Sequence, residues 1–161
     1  MIRDLIALDH SSKVWIYQSN RDFEYEELDE AREMIFNFLD QWTSHNEDLL
    51  TYGNIFHRRF LAIFVDETHT SASGCSIDKL VRFTEELGNE FKIDFFNRNN
   101  FSYLINEDIY FIDSDKLTNA YRDGKIDDNV LFFDHLVATK HDFLKKWLVP
   151  LKNSWHKKFV K

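Results

Sequence analysis

The stretch Phe60-Leu61-Ala62-Ile63-Phe64-Val65 is apolar at every position, and it constrains the fold more than any other feature of the chain. A strand with one wet face alternates apolar and polar side chains. An unbroken apolar run bounded by Arg59 and Asp66 reads instead as a central strand, covered on both faces. Leu49 to His57 forms a second strand candidate, and His57-Arg58-Arg59 is placed to turn the chain between the two as a hairpin.

Around this pair the periodicity changes. Lys13 to Gln18 alternates and is rich in β-branched and aromatic residues, the signature of a strand. From Glu24 to Trp42, Leu28, Ala31, Ile35, Leu39 and Trp42 recur every three or four residues, one face of an amphipathic helix, with several possible caps in Ser19-Asn20-Arg21-Asp22. Ser76 to Leu87 predicts a second helix with Ile77, Leu80, Val81, Thr84 and Leu87 on one face and Gly88 at C′. Phe91 to Phe96, Phe101 to Ile105, Ile109 to Ile112 and Val130 to Phe133 are shorter strand candidates, and Ser114 to Tyr121 a short helix.

Strands come in adjacent pairs rather than alternating with helices. That predicts an α+β fold, a largely antiparallel sheet with helices on one face, built as a single domain over residues 1–161. The tail from Thr139 carries Leu144, Trp147, Leu148, Leu151, Trp155 and Phe159 on a helical stripe. It is expected to pack on the core as a basic amphipathic helical segment, kinked or split at Pro150.

Charge divides the chain. Thr139 to Lys161 holds seven lysines and one acid, whereas the whole chain carries a net charge of −8. The acidic body repels a phosphate backbone, which disfavours bulk nucleic-acid binding. A single cysteine cannot form an internal disulfide, and neither a signal peptide nor a membrane-spanning run is evident, so a cytoplasmic setting is expected.

The candidate site lies in Thr70-Ser71-Ala72-Ser73-Gly74-Cys75-Ser76-Ile77-Asp78. The first amides of a helix lack internal partners and sit at the positive end of its dipole, and a glycine there lets a ligand approach the backbone. Such a corner can hold an anion or activate a thiol. The structural alternative is that Ser73 or Ser76 caps the helix, Gly74 turns the chain and Cys75 fills a small gap. Asp78, read as falling in the first turn, opposes both an anion and a thiolate, which favours the structural role for Cys75.

Leu61 to Glu67 has the form of a Walker B strand, but Gly124-Lys125 is followed by Ile126, and Asn119 stands where the first glycine of a phosphate loop belongs. No Walker A is present, and ATPase activity is not expected. Taken together, Val14 to Arg21, the pair Trp42 and His45, Ala72 to Leu80 and Ser154 to Phe159 resemble a family of small bacterial proteins of uncharacterised function, some labelled ABC transporter ATPase. The resemblance extends over nearly the whole chain and implies no established activity, so it assigns no catalytic roles.

The seven histidines form no HExxH or Cys/His set, and neither a metal nor a cofactor is expected. His45 is read as capping the end of the first helix, or as a general base if the fold brings it to Cys75. Arg21 and Arg98 are candidate clamps for a carboxylate or phosphate. Two functions follow. One is a non-catalytic binding module for a small polar ligand or peptide, with Ser73, Gly74, Ser76, Arg21, Arg98 and Trp42 at its site. The other is a thiol enzyme with Cys75 as nucleophile, His45 or His69 as base and the helix amides as oxyanion donors.

Overall fold

The computed structural model describes every residue, Met1–Lys161. The fold is α+β, with four α-helices and every strand ladder antiparallel. The chain divides into two compact units, Met1–Phe96 with Ala138–His141, and Asn97–Val137 with Asp142–Lys161.

The first unit holds a three-stranded sheet in the order β1 (Lys13–Gln18), β5 (Phe60–Asp66), β4 (Leu50–Phe56). The apolar run is thus the central strand, and every residue of β5 is buried. Leu61, Ile63 and Val65 face a core shared with Leu28, Ala31, Ile35 and Leu39 of α1 (Tyr25–Gln41) and Leu80, Phe83, Leu87 and Phe91 of α2 (Gly74–Phe91). Gly53 of β4 lets α1 settle on the sheet. A Cβ there would stand 2.6 Å from Ile63 Cδ1 and 2.9 Å from Leu39 Cδ1.

The hairpin between β4 and β5 turns as expected, through His57 and Arg58 with φ of 54° and 58°. Two non-glycine residues in the left-handed region cost roughly 1–2 kcal/mol each. The Ser19–Asp22 segment and its neighbour Phe23 offset that cost by clamping the turn. Phe23 N–H donates to Arg58 O at 2.7 Å, Ser19 N–H donates to Arg59 O at 2.9 Å, and Arg59 Nε donates to Asp22 Oδ1 at 2.7 Å. That clamp replaces the expected capping role: the N-cap of α1 is Glu24, which makes no side-chain cap bond, and Glu26 and Glu27 in the first turn complement the dipole.

Other expectations are corrected. α2 runs two residues earlier and four later than its pattern predicts, so Asp78 lies in the second turn and Gly88 inside the helix. The αL residue is Lys92, φ 54°, and Ile93 N–H reaches back to Gly88 O at 2.8 Å. Gly88 is needed because a Cβ would sit 2.5 Å from Ile93 O. Phe91 to Phe96 forms no strand: Phe91 ends the helix, and Ile93 and Phe95 drop into its core from an irregular segment. His45 does not cap α1, which closes at Trp42; it forms, with Asn46, the positive-φ tip of the small hairpin β2 (Thr43–Ser44), β3 (Glu47–Asp48).

The second unit carries a four-stranded sheet in the order β7 (Asp108–Asp113), β6 (Asn100–Ile105), β8 (Leu131–Phe133), β9 (Leu148–Pro150), with α3 (Leu117–Arg122). The tail is not the predicted amphipathic helix. α4 (Lys140–Lys146) is short, and Leu148–Pro150 becomes an edge strand, where a proline without an N–H is tolerated. Two 3-10 turns, Leu151–Asn153 and Trp155–Phe159, complete it. Leu151, Trp155, Phe159 and Val160 join the core of Phe101, Leu117, Ile126 and Phe132. No helix is long and apolar enough to cross a membrane.

Candidate functional site

The start of α2 is capped at two amides, Ser76 N–H by Ser73 Oγ and Ile77 N–H by Ser73 O, whereas Gly74 and Cys75 lie exposed ahead of them. Ser73 Oγ accepts from Ser76 N–H at 3.1 Å, and Ser76 Oγ donates to Ser73 O at 2.8 Å. Ser73 is thus a serine N-cap, and the Ser76 hydroxyl bonds back to the cap residue's carbonyl rather than to its N–H. The loop before it is tied down at several points. Glu67 accepts from Ala72 N–H at 2.8 Å and pairs with Lys13 at 3.0 Å, while Thr70 Oγ1 donates to Glu47 at 2.6 Å. Asp66 holds the turn by accepting from Thr68 N–H, Thr68 Oγ1 and Asp9 N–H. Burial raises the Asp66 pKa, but these hydrogen bonds outweigh it and leave the carboxyl below its ordinary value. The acids that resemble Walker B are therefore used to shape a turn. No three His, Cys, Asp or Glu side chains converge as metal ligands.

The sequence-predicted residues separate into groups. Trp42 and Ser76 meet: Trp42 Nε1 donates to Ser76 O at 2.8 Å, with the residues only 2% and 1% exposed. Gly74 and Cys75 face solvent, and a Cβ on Gly74 would touch nothing within 4 Å. His45 is exposed at its hairpin tip, with no hydrogen bond to Cys75. Arg21 lies at the opposite end of α2, where Nη2 donates to Phe91 O and pairs with Glu27 at 3.2 Å. There it complements the negative end of the dipole, about 25 Å of helix away from Ser73. Arg98 is exposed and belongs to the second unit.

What the helices do create is an open groove of about 280 Å³ between α1 and α2. Its floor is aromatic: Phe38 stacks on Phe83 at 4.4 Å and 5°, and Phe38 meets Trp42 at 5.3 Å. The indole N–H is bonded to Ser76 O, and with Trp42 and Phe83 only 2% and 6% exposed, the half-buried Phe38 supplies most of the ring surface open to the groove. Gln41, Lys79, Arg82 and Glu86 form an exposed rim, and neither Lys79 nor Arg82 enters a salt bridge. Of these residues only Trp42 stood out from the sequence. Phe83 lies off the predicted stripe, although the Phe38–Trp42 spacing of one helical turn was there to be read.

The second unit holds a larger open groove of about 550 Å³, lined by Asn100, Tyr103, Asp113, Lys116, Asn119 and Lys125 among others. Its charge is partly internal: Asp113 accepts from Asn100 at 2.7 Å and pairs with Lys116 at 3.5 Å. The Tyr103 ring is stacked on both Tyr110 and Phe132, each at 5.5 Å. Tyr103 and Phe111 give it an aromatic lining, but its charges are of both signs, Asp113 and Asp123 with Lys116 and Lys125.

No protein-family model, curated protein or solved structure matches the chain, so the site is read from its own geometry.

Proposed function

We propose that this chain is a non-catalytic binding module whose ligand surface is the α1–α2 groove, directly beside the α2 start marked by its sequence. One observation carries the reading: Lys79 and Arg82, without salt bridges, line the same groove as Phe38, Trp42 and Phe83 on a protein of net charge −8. On such a body, cations ordinarily pair with local acids. Cations left beside an aromatic-lined groove favour a ligand that joins an anionic group to an apolar one.

The thiol-enzyme alternative has less support. Catalysis by Cys75 needs a base within hydrogen-bond reach, and no His hydrogen-bonds to it.

3-Phenylpropionate, a ring joined to a carboxylate, tests the reading by NMR titration. Saturable shifts are expected at Trp42, Lys79, Arg82 and Phe83, weakened by Arg82→Ala and unaffected by Cys75→Ala. Shifts absent from those residues, or a response abolished by Cys75→Ala, would overturn it.

A further inference from the structure

Resting on that reading, the shape and charge order of the groove define its occupant more closely. At about 280 Å³ and open to solvent, the groove lies at or below the range of pockets that enclose a small molecule, roughly 300–1,000 Å³. It can seat a side chain or two belonging to something larger. Its charges are also ordered along α2: Lys79, then Arg82, with Phe83 beneath, then Glu86. Seven residues of helix span two turns, about 10 Å. The rim is therefore cationic at one end, apolar in the middle and anionic at the other, with a spacing that matches the anchor positions i, i+3/i+4 and i+7 of a helix lying in a groove.

We infer that the α1–α2 groove takes a two-turn helical segment of a partner protein, with an acidic side chain at Lys79 and Arg82, an apolar side chain on the Phe38–Phe83 floor and a basic side chain at Glu86. Either chain direction satisfies this order, because the charges are specified by place rather than by polarity of the backbone. The open part of the Phe38 ring gives the apolar side chain a contact, and the charge order supplies selectivity. A uniformly acidic partner would be opposed at Glu86 and by the acidic body. A uniformly basic one would be opposed at Lys79 and Arg82.

Three labelled, alanine-based helical peptides provide the probe. Each carries a phenylalanine midway between two charged residues set two turns apart, which are glutamate with lysine, two glutamates, or two lysines. By fluorescence anisotropy at low salt, the mixed-charge peptide is expected to bind roughly fivefold tighter than either like-charged peptide. Added salt should narrow the difference. Glu86→Lys should shift the preference to the double-glutamate peptide, and Lys79→Glu with Arg82→Glu to the double-lysine peptide. All three positions are exposed, so circular dichroism should report an unchanged fold. Equal binding of the three peptides, or a preference unmoved by Glu86→Lys, overturns the inference. Peptides that fail while 3-phenylpropionate still shifts the floor overturn the helical partner alone. If neither probe binds, the groove loses its function as well.

Discussion

Trp42 closes α1 and Ser76 lies in the first turn of α2, and a 2.8 Å bond from Trp42 Nε1 to Ser76 O joins the two helix ends. The bond positions one wall of the groove and keeps a polar N–H out of its floor. Replacing Trp42 with Phe should cost about 1–3 kcal/mol from the lost ring volume and hydrogen bond. The decrease should appear in urea denaturation, with weakened binding of 3-phenylpropionate.

Gly88 and Gly74 should respond oppositely to alanine. At Gly88 the new methyl would meet Ile93 O at 2.5 Å, and because that atom is backbone the helix end must move. A loss of roughly 1–3 kcal/mol is expected, outweighing the gain in helix propensity of up to about 1 kcal/mol. Gly74→Ala meets open space and should be neutral or slightly stabilising. Thermal melts of the two variants compare them directly.

His156 links acidity to the second unit. It is 2% exposed, ringed by Phe101, Phe132 and Trp155, and hydrogen-bonded to Ser154 Oγ. Burial, with the nearby Lys158, pushes its pKa down to about 4. His135, which accepts from Trp147 Nε1 at 3.3 Å, falls to about 3, mainly through burial. Both are neutral when folded, whereas the unfolded chain takes up protons near the ordinary value of about 6.5. Stability from these groups is therefore full above about pH 6.5 and is lost as pH falls toward about 4 for His156 and about 3 for His135. Urea midpoints should drop across that window, and His156→Gln should flatten the drop while lowering stability at neutral pH. A pH-independent wild-type midpoint between these limits would refute the linkage.

Cys75 faces solvent, so iodoacetamide should alkylate it in the native protein without denaturant. Cys75→Ser should leave stability within about 0.5 kcal/mol of the parent, as for an ordinary surface change.

Removing Thr139 to Lys161 should abolish the folded second unit rather than trim an arm. The deletion takes away β9 and the core residues Leu151, Trp155 and Phe159. Loss of dispersed amide resonances from Asn100 to Phe133 would be the sign.

Features set by neighbours in the chain were legible before the fold was known. Six apolar residues in a row sufficed to make β5 central, and the Leu28–Leu39 spacing placed α1, because burial on one or both faces writes itself into local periodicity. Ser73 could be read as a cap from its own chemistry. Other features answer to partners far along the chain. Gly88 looks like a helix stop until Ile93 O is seen folding over it. Leu148–Pro150 reads as a broken helix until β8 offers it a ladder. Phe38 and Phe83 become one surface only when α1 and α2 meet, so the groove had no signature of its own.

The segment Ala138–His141 returns to the first unit long after Phe96 has left it. Ala138 O accepts from Val14 N–H at 3.0 Å, Lys140 N–H donates to Ser12 O at 2.7 Å, and Lys140 Nζ donates to Leu8 O at 2.6 Å, all along the start of the outer edge of β1. During synthesis that edge waits bare until the ribosome has delivered residue 138, and a nascent or truncated chain ending at Phe96 exposes Lys13-Val14-Trp15 to any other strand that passes. Self-association of such a fragment, relieved by supplying residues 138–141 as a separate peptide, would be the molecular trace of this late-arriving clasp.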